Sequence, residues 1–310
     1  MNIRKTILRR LLNLIPLLLI LSLIVFTLVY LAPGDPALKK LASAGEGVSK
    51  EALEIQREKM GLNDPFFVRY GRWLSGILHG DWGVSMKDKL PVLPELLEGL
   101  KYSAILTLSS KLVSLLFSIP LSVTAASFHN SAADRVINVL AFLFNSVPSF
   151  LLSVLLMYFF CIRLKLFPVI AKGTLQGLFL PTLAIAIPLI GSLARQLRAE
   201  ILHQMDEPYV LSMRQRCVSE KLIRRNIFHN AAGPIITYIG LSVGIVMAGS
   251  VAIETIFRWP GVGSIAIEAI EARDYPMIQG FVMLLALVFV LINLVTDIAY
   301  RIIDPRVRES

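Results

Sequence analysis

Long apolar runs alternate with shorter polar stretches along the whole chain. Six of the runs approach the length of a membrane crossing: Leu11–Leu31, Ala104–Ser127, Val136–Ile162, Leu178–Ala194, Ile235–Ile256 and Ile278–Ile303. A helix rising about 1.5 Å per residue needs about 20 apolar residues to span a hydrocarbon core of about 30 Å. The pattern predicts an all-α integral membrane protein with six transmembrane helices. Leu178–Ala194 departs most from that template, being short and holding Pro181 and Pro188. Prolines are tolerated in a spanning helix where neighbours satisfy the freed backbone groups. Arg4, Lys5, Arg9 and Arg10 before the first run resemble the start of a secretory signal. That run is longer than a secretory core and LAPGDPA offers no small-x-small cleavage site, so it reads as a retained helix.

The polar positions set the orientation. With the N-terminus in the cytoplasm, the inner segments hold fifteen Lys and Arg, seven of them within Arg195–Arg225, while the short outer segments hold five. Basic residues collect on the cytoplasmic side, so the bias predicts N-in and C-in. Three regions follow: 1–32 as an N-terminal segment with helix one, 33–98 as an extracytoplasmic segment between helices one and two, and 99–310 as a core of helices two to six. The core includes a cytoplasmic loop, 195–234, between helices four and five. Within the outer segment, SKEALEIQREKMGL predicts an amphipathic helix with Leu53, Ile55 and Met60 on its apolar side and a stop at Gly61. Tyr70, Trp73 and Trp82 suit a water–lipid interface.

Composition agrees with this reading. Of 310 residues, 55% are hydrophobic and 17% charged, against about 25% charged in a soluble domain. The net charge of +9 is accounted for by topology rather than by nucleic acid. Cys161 and Cys217 fall on a predicted span and in an inner loop, where a structural disulfide is not expected. GEGVSK at Gly45 fails the spacing of a phosphate-binding loop, so no ATPase is visible in the chain. The histidines, His79, His129, His203 and His229, are scattered, with no H-E-x-x-H and no Cys/His cluster, and no metal site is predicted. Ser264 lies among glycines, but no histidine falls on a predicted span to activate it, so an enzyme is not expected.

Ionisable residues at membrane depth mark paths and pairs. Lys111 reads either as a stem snorkelling to the outer interface or as part of a translocation path. Asp297 reads either as the i,i+4 partner of Arg301 or as a path residue, and Glu254 is the strongest of the three candidates for lining a path. Gly240 and Gly244 in GLSVG stand four apart, which favours close packing against another helix.

Several blocks, in order, carry a resemblance: RRLLNLIP, LAPGDP, GLNDPFFVRYGRWL, HGDWGVS, VPSF, LPTLAIAIP, ARQLRAEIL, ETIFRWPGVG, RDYPMIQG and IDPRVR. Together they are similar, nearly end to end, to the permease subunits of binding-protein-dependent ABC importers in the oligopeptide, dipeptide and nickel branch. By residues alone, EPYVLSMRQRCVSEKLIRR is either a solvated loop on anionic lipid or a contact surface. As a surface, Tyr209, Val210, Leu211, Met213 and Val218 would supply contact area while Arg214, Arg216, Lys221 and Arg224 steer a partner. The resemblance implies that this loop forms short helices docking in a cleft of a cytoplasmic ATPase, through Glu207, Tyr209, Val210, Met213, Arg214, Arg216, Cys217 and Val218. Cys217 stands where the family usually has glycine, and Ala232–Gly233 replaces the usual apolar pair before Pro234.

The resemblance further implies a second homologous permease, two ATPase subunits that carry ATP and Mg, an extracytoplasmic solute-binding protein and membrane lipid as partners. No cofactor is expected on this chain and no nucleic acid. PGDPAL and RDYPMIQG lean toward nickel, as a chelate, over short peptides. The competing classes are an ion-gradient-driven secondary transporter using Lys111, Glu254 and Asp297, whose inverted repeats are not visible, and an assembly factor with no path.

Overall fold

The computed structural model describes the backbone of residues 3–32, 35, 37–38, 41 and 49–303, and the side chains of these apart from 3–14, 241, 297 and 299–303. The regular elements among the described residues are helices: α1 (Ile3–Leu31), α2 (Lys50–Lys59), α3 (Phe66–Leu78), α4 (Val92–Ser127), α5 (Ala132–Ser146), α6 (Ser149–Leu156), α7 (Leu175–Met205), α8 (Pro208–Gln215), α9 (Glu220–Gly249), α10 (Val251–Phe257), α11 (Val262–Glu271) and α12 (Tyr275–Ile303). α6 continues into a π-helical turn, Met157–Arg163. Helices α4, α7, α9 and α12 are long and apolar enough to cross a membrane, and α5 with α6 makes a fifth candidate.

The third predicted run is not one straight helix. It bends by 88° between α5 and the stretch Ser149–Arg163. Val147 is extended, at φ −85° and ψ 119°, and Pro148 follows it. A residue before proline is pushed out of the helical region, and the proline then starts the next helix with its missing N–H at no loss. The fourth run, short by hydropathy, belongs to a continuous helix of 31 residues with both prolines inside it. Its apolar window is 61% buried against 22–33% in the other three long helices.

The chain divides into two compact units, one of residues 1–6, 99–264 and 289–310, the other of residues 7–98 and 265–288. In the first, Leu106, Cys161, Leu180, Ala184, Ile185, Ile253, Phe257 and Trp259 form one buried core. Close approach rather than bulk sets the contact of α7 with α5. A Cβ on Gly191 would stand 2.2 Å from the Ala141 carbonyl oxygen.

In the second unit, Phe26 of α1 collects Phe66, Tyr70 and Trp73 of α3. The predicted helix α2 forms, capped by the Ser49 hydroxyl on the Ala52 N–H. Its chain leaves through Gly61 at φ +61°, a conformation open to glycine without a Cβ penalty. The HGDWGVS and RDYPMIQG blocks meet here. The Ser85 hydroxyl donates to buried Asp274 at 2.5 Å, and a Cβ on Gly280 would strike Val92 at 2.7 Å. Lys87 donates to Glu268 at 2.8 Å, which raises its pKa above the ordinary lysine value.

Candidate functional site

The charged loop between α7 and α9 folds as a helix and a tight turn. Glu207 is extended at the N-cap and Pro208 opens α8, where a missing N–H leaves nothing unsatisfied. The helix closes with paired bonds, Val218 N–H to the Met213 carbonyl at 3.1 Å and Cys217 N–H to the Arg214 carbonyl at 3.0 Å. This is the Schellman pattern, which places one residue in the left-handed region. That residue is Cys217, at φ +51°. Cysteine therefore adopts the conformation for which glycine is the usual choice, at a cost of roughly 1–2 kcal/mol.

The loop's apolar residues do not all face the same way. Val210 is buried with Ala126, Ile201, Ile223 and Ile227, and Tyr209, Met213 and Val218 pack against the same cluster. Val210 is used within the chain, because α8 has to bury one face of its own on α4, α7 and α9, while Tyr209, Met213 and Val218 keep part of their surface exposed. The side left free presents Leu211, 61% exposed, with exposed Arg214, Arg216 and Cys217. Arg214 also lies 3.4 Å from Glu220. Glu207 is 3.6 Å from His203.

Upstream, α7 is tied to α5 by a pair that was not singled out from the sequence. Arg198 Nε and Nη2 each donate to Asp134 at 2.7 Å, a two-pronged contact. Asp134 is buried, and it also accepts from the Asn130 N–H at 3.0 Å and from Asn138 Nδ2 at 2.7 Å. The ARQLRAEIL block held the signal for Arg198, but its partner lies 64 residues away.

Glu254 has no exposed surface. Its Oε1 accepts from Ser103 Oγ at 2.7 Å and Ser250 Oγ at 2.9 Å, and its Oε2 accepts from the Gly263 N–H at 2.8 Å and the Ser264 N–H at 3.3 Å. The two N–H groups belong to the first turn of α11, so the carboxylate caps that helix and meets the positive end of its dipole. A Cβ on Gly261 or Gly263 would stand 2.3 or 2.8 Å from Oε2. Trp259 closes the block, donating from Nε1 to the Tyr102 carbonyl at 3.0 Å. The ETIFRWPGVG block is thus a carboxylate with its donors packed around it, and Ser103 and Ser250 are members that the sequence did not mark.

Lys111 does not snorkel. It is 4% exposed and its Nζ donates to Ser242 Oγ of α9. The reason is its register. Thr107, Ser114 and Ser118, three to seven residues away on the same helix face, are all buried, so the stem leaves α4 on the enclosed side. Gly240 and Gly244 lie against α12, where added Cβ atoms would meet Thr296 at 2.3 Å and Phe289 at 2.9 Å. The backbone of Asp297 is in α12, while its side chain lies outside the described residues. Lys111 and Glu254 are held by different partners and share none, and no group of three or more His, Cys, Asp or Glu among the described residues could hold a metal ion.

Residues 118–309 match the family model described as binding-protein-dependent transport system inner membrane component, and residues 3–95 match the model for the N-terminal part of such membrane components. The glutathione transport system permease protein GsiC of Salmonella paratyphi A is 35% identical over 303 residues, covering 97% of this chain and 98% of the relative. That of Escherichia coli K12 is 33% identical over the same coverage. Among solved structures, inward-facing forms of the MetNI methionine ABC transporter align with a TM-score of 0.56 at 17% identity, over 68% of this chain and 96% of that one. An amino acid ABC transporter aligns with a TM-score of 0.52 at 16% identity, over 69% and 94%. At these identities the structures speak for the fold alone.

Proposed function

The chain belongs to the family of binding-protein-dependent transport system inner membrane components, and from that premise we propose that it is one permease subunit of an ATP-driven importer for short peptides. It is a multi-pass protein of the bacterial inner membrane and a permease rather than a catalyst. In the proposed arrangement six helices cross the membrane with both termini in the cytoplasm, and this chain pairs with a second, homologous permease. Two ATPase subunits, carrying ATP and Mg, dock from the cytoplasm, and a solute-binding protein delivers substrate from the other side.

One observation carries the assignment of a coupling surface. The segment 207–218 forms a short helix whose inner face is fixed in the chain's core and whose free face pairs one apolar residue, Leu211, with Arg214 and Arg216. A surface held rigidly from behind can pass on a push. ATP-driven closure of the ATPases moves this helix, and rigid-body motion of the membrane helices opens the path alternately to each side. The permease relatives favour glutathione-sized peptides as cargo over chelated nickel.

Replacing Arg214 and Arg216 together by Glu tests the docking. The double variant is expected to insert normally, to lose most substrate uptake in proteoliposomes and to lose substrate-stimulated ATPase activity. Wild-type uptake in that variant would count against docking at this face. Uptake that needs a proton gradient and no ATP would favour a secondary transporter instead.

A further inference from the structure

Helix α3 carries two apolar faces. Phe66, Tyr70 and Trp73 form the first, and their rings gather on Phe26 of α1 at centroid separations of 5.5, 5.6 and 5.5 Å. Tyr30 adds an edge contact to Phe66 at 5.2 Å, and the Tyr70 hydroxyl reaches Ser22 Oγ at 2.7 Å. The two helices therefore cross at Phe26, which lies inside the apolar run that ends at Leu31 and about 7–8 Å from that end along the helix axis.

The second face is turned about 100° from the first. Phe67, Gly71, Leu74 and Leu78 follow one another at helical spacing, and Phe67 and Leu78 are 77% and 76% exposed. Arg72 lies on the far side, where it pairs with Asp64 at 2.6 Å, while Ser75, four residues from Gly71 and three from Leu78, flanks the stripe. Val68 is the one exposed apolar residue on that polar side.

We infer that α3 is an in-plane helix of the outer leaflet, with Phe67, Leu74 and Leu78 set among lipid chains and Arg72 at the headgroups. The occupant of the exposed stripe is a phospholipid bilayer rather than a protein chain. The helix is seated on α1 at the level of an apolar run whose own side chains Leu23, Leu28 and Leu31 are exposed, so the surface it meets there is the one that α1 already shares with lipid. Tyr70 and Trp73 at the crossing are of the types that collect at headgroup level. An amphipathic helix with a basic residue on its polar flank sinks its apolar face about 5–10 Å into the headgroup boundary. Such an anchor fixes the height of the extracytoplasmic segment above the membrane. The inference rests on the proposed reading of α1 as a membrane span.

The test uses the assembled transporter in phospholipid nanodiscs. Nitroxide labels are placed one at a time through Phe67→Cys, Leu78→Cys, Arg72→Cys and Ser75→Cys, with Cys161→Ala and Cys217→Gly as background. Leu28→Cys on α1 is the lipid control and Glu58→Cys on α2 the water control. Collision with oxygen relative to a water-soluble nickel chelate is expected to be several-fold higher at 67 and 78 than at 72, with 75 between them, and the values at 67 and 78 are expected to match position 28. Values at 67 and 78 that match position 58, while 28 reads lipid, overturn the inference. Labels at 67 and 78 shielded from both reagents assign the stripe to a protein partner and overturn it equally. A water reading at 28 instead brings down the reading of α1, and this inference with it. The unsubstituted chain, footprinted with a lipid-soluble carbene precursor, gives an arm free of any folding effect. Label on Phe67 and Leu78 is expected there, and label absent from both overturns the proposal.

Discussion

Glu254 illustrates how a charge is tolerated in an apolar chain. An isolated buried carboxylate would be strongly disfavoured, but this one accepts two hydroxyls and two backbone N–H groups, so each oxygen is satisfied. The glycines of the block follow from it, since Gly261 and Gly263 leave room for Oε2. Gly261→Ala would place a Cβ 2.3 Å from Oε2 and 2.6 Å from Ser103 Oγ. Overpacking of this kind costs roughly 1–3 kcal/mol. The variant is expected to melt at a clearly lower temperature in detergent than Gly249→Ala, where no heavy atom lies within 4 Å of the added carbon. Equal melting temperatures would show that Gly261 is not needed to seat the Glu254 carboxylate. At this scale the sequence announced that Glu254 was unusual, because an ionisable group at membrane depth stands out. Its partner Ser103 is 151 residues away, and a serine in an apolar helix has no signature of its own.

The elements show where hydropathy reads well and where it stops. The helix α2 and the stop at Gly61 are legible because helix-forming residues and the glycine agree locally, whereas the predicted stripe buries none of its residues and leaves Ile55 exposed. In the third run apolar composition conceals a backbone break within the candidate span, although Val147–Pro148 carries the signal for it. The fourth run looked short because Arg195 and Arg198 end its apolar window, yet the helix continues to Met205. Arg198 explains the continuation, since its guanidinium is held on buried Asp134 and links α7 to α5. Removing one partner of a buried pair costs roughly 3–5 kcal/mol. Arg198→Ala is therefore expected to reduce the yield of folded chain sharply. Arg198→Lys should recover only part of it, because an ammonium cannot reproduce the two-pronged contact. Thermal melts and size-exclusion yields of the two variants decide this, and a lysine variant equal to wild type would show that charge alone matters.

For the whole molecule, composition and apolar runs gave the membrane class, and the ordered blocks gave the family. Cargo was not legible in the same way. The lean toward nickel rested on two short blocks, PGDPAL and RDYPMIQG, and the first of them includes residues outside the described structure. In the proposed complex the binding protein meets the solute first, so this chain need not carry a pocket that names it. Uptake by the reconstituted complex is expected to rank glutathione and short peptides above nickel chelates. Nickel-chelate uptake without peptide uptake would reverse the assignment. The turn after α8 has a practical corollary. Of the chain's two cysteines, Cys161 is enclosed and Cys217 is exposed, and the left-handed turn sets that thiol at the edge of the face assigned to the ATPase. The native chain thus carries its own reporter, and the rate at which a maleimide dye tags it should fall when the motor subunits are seated.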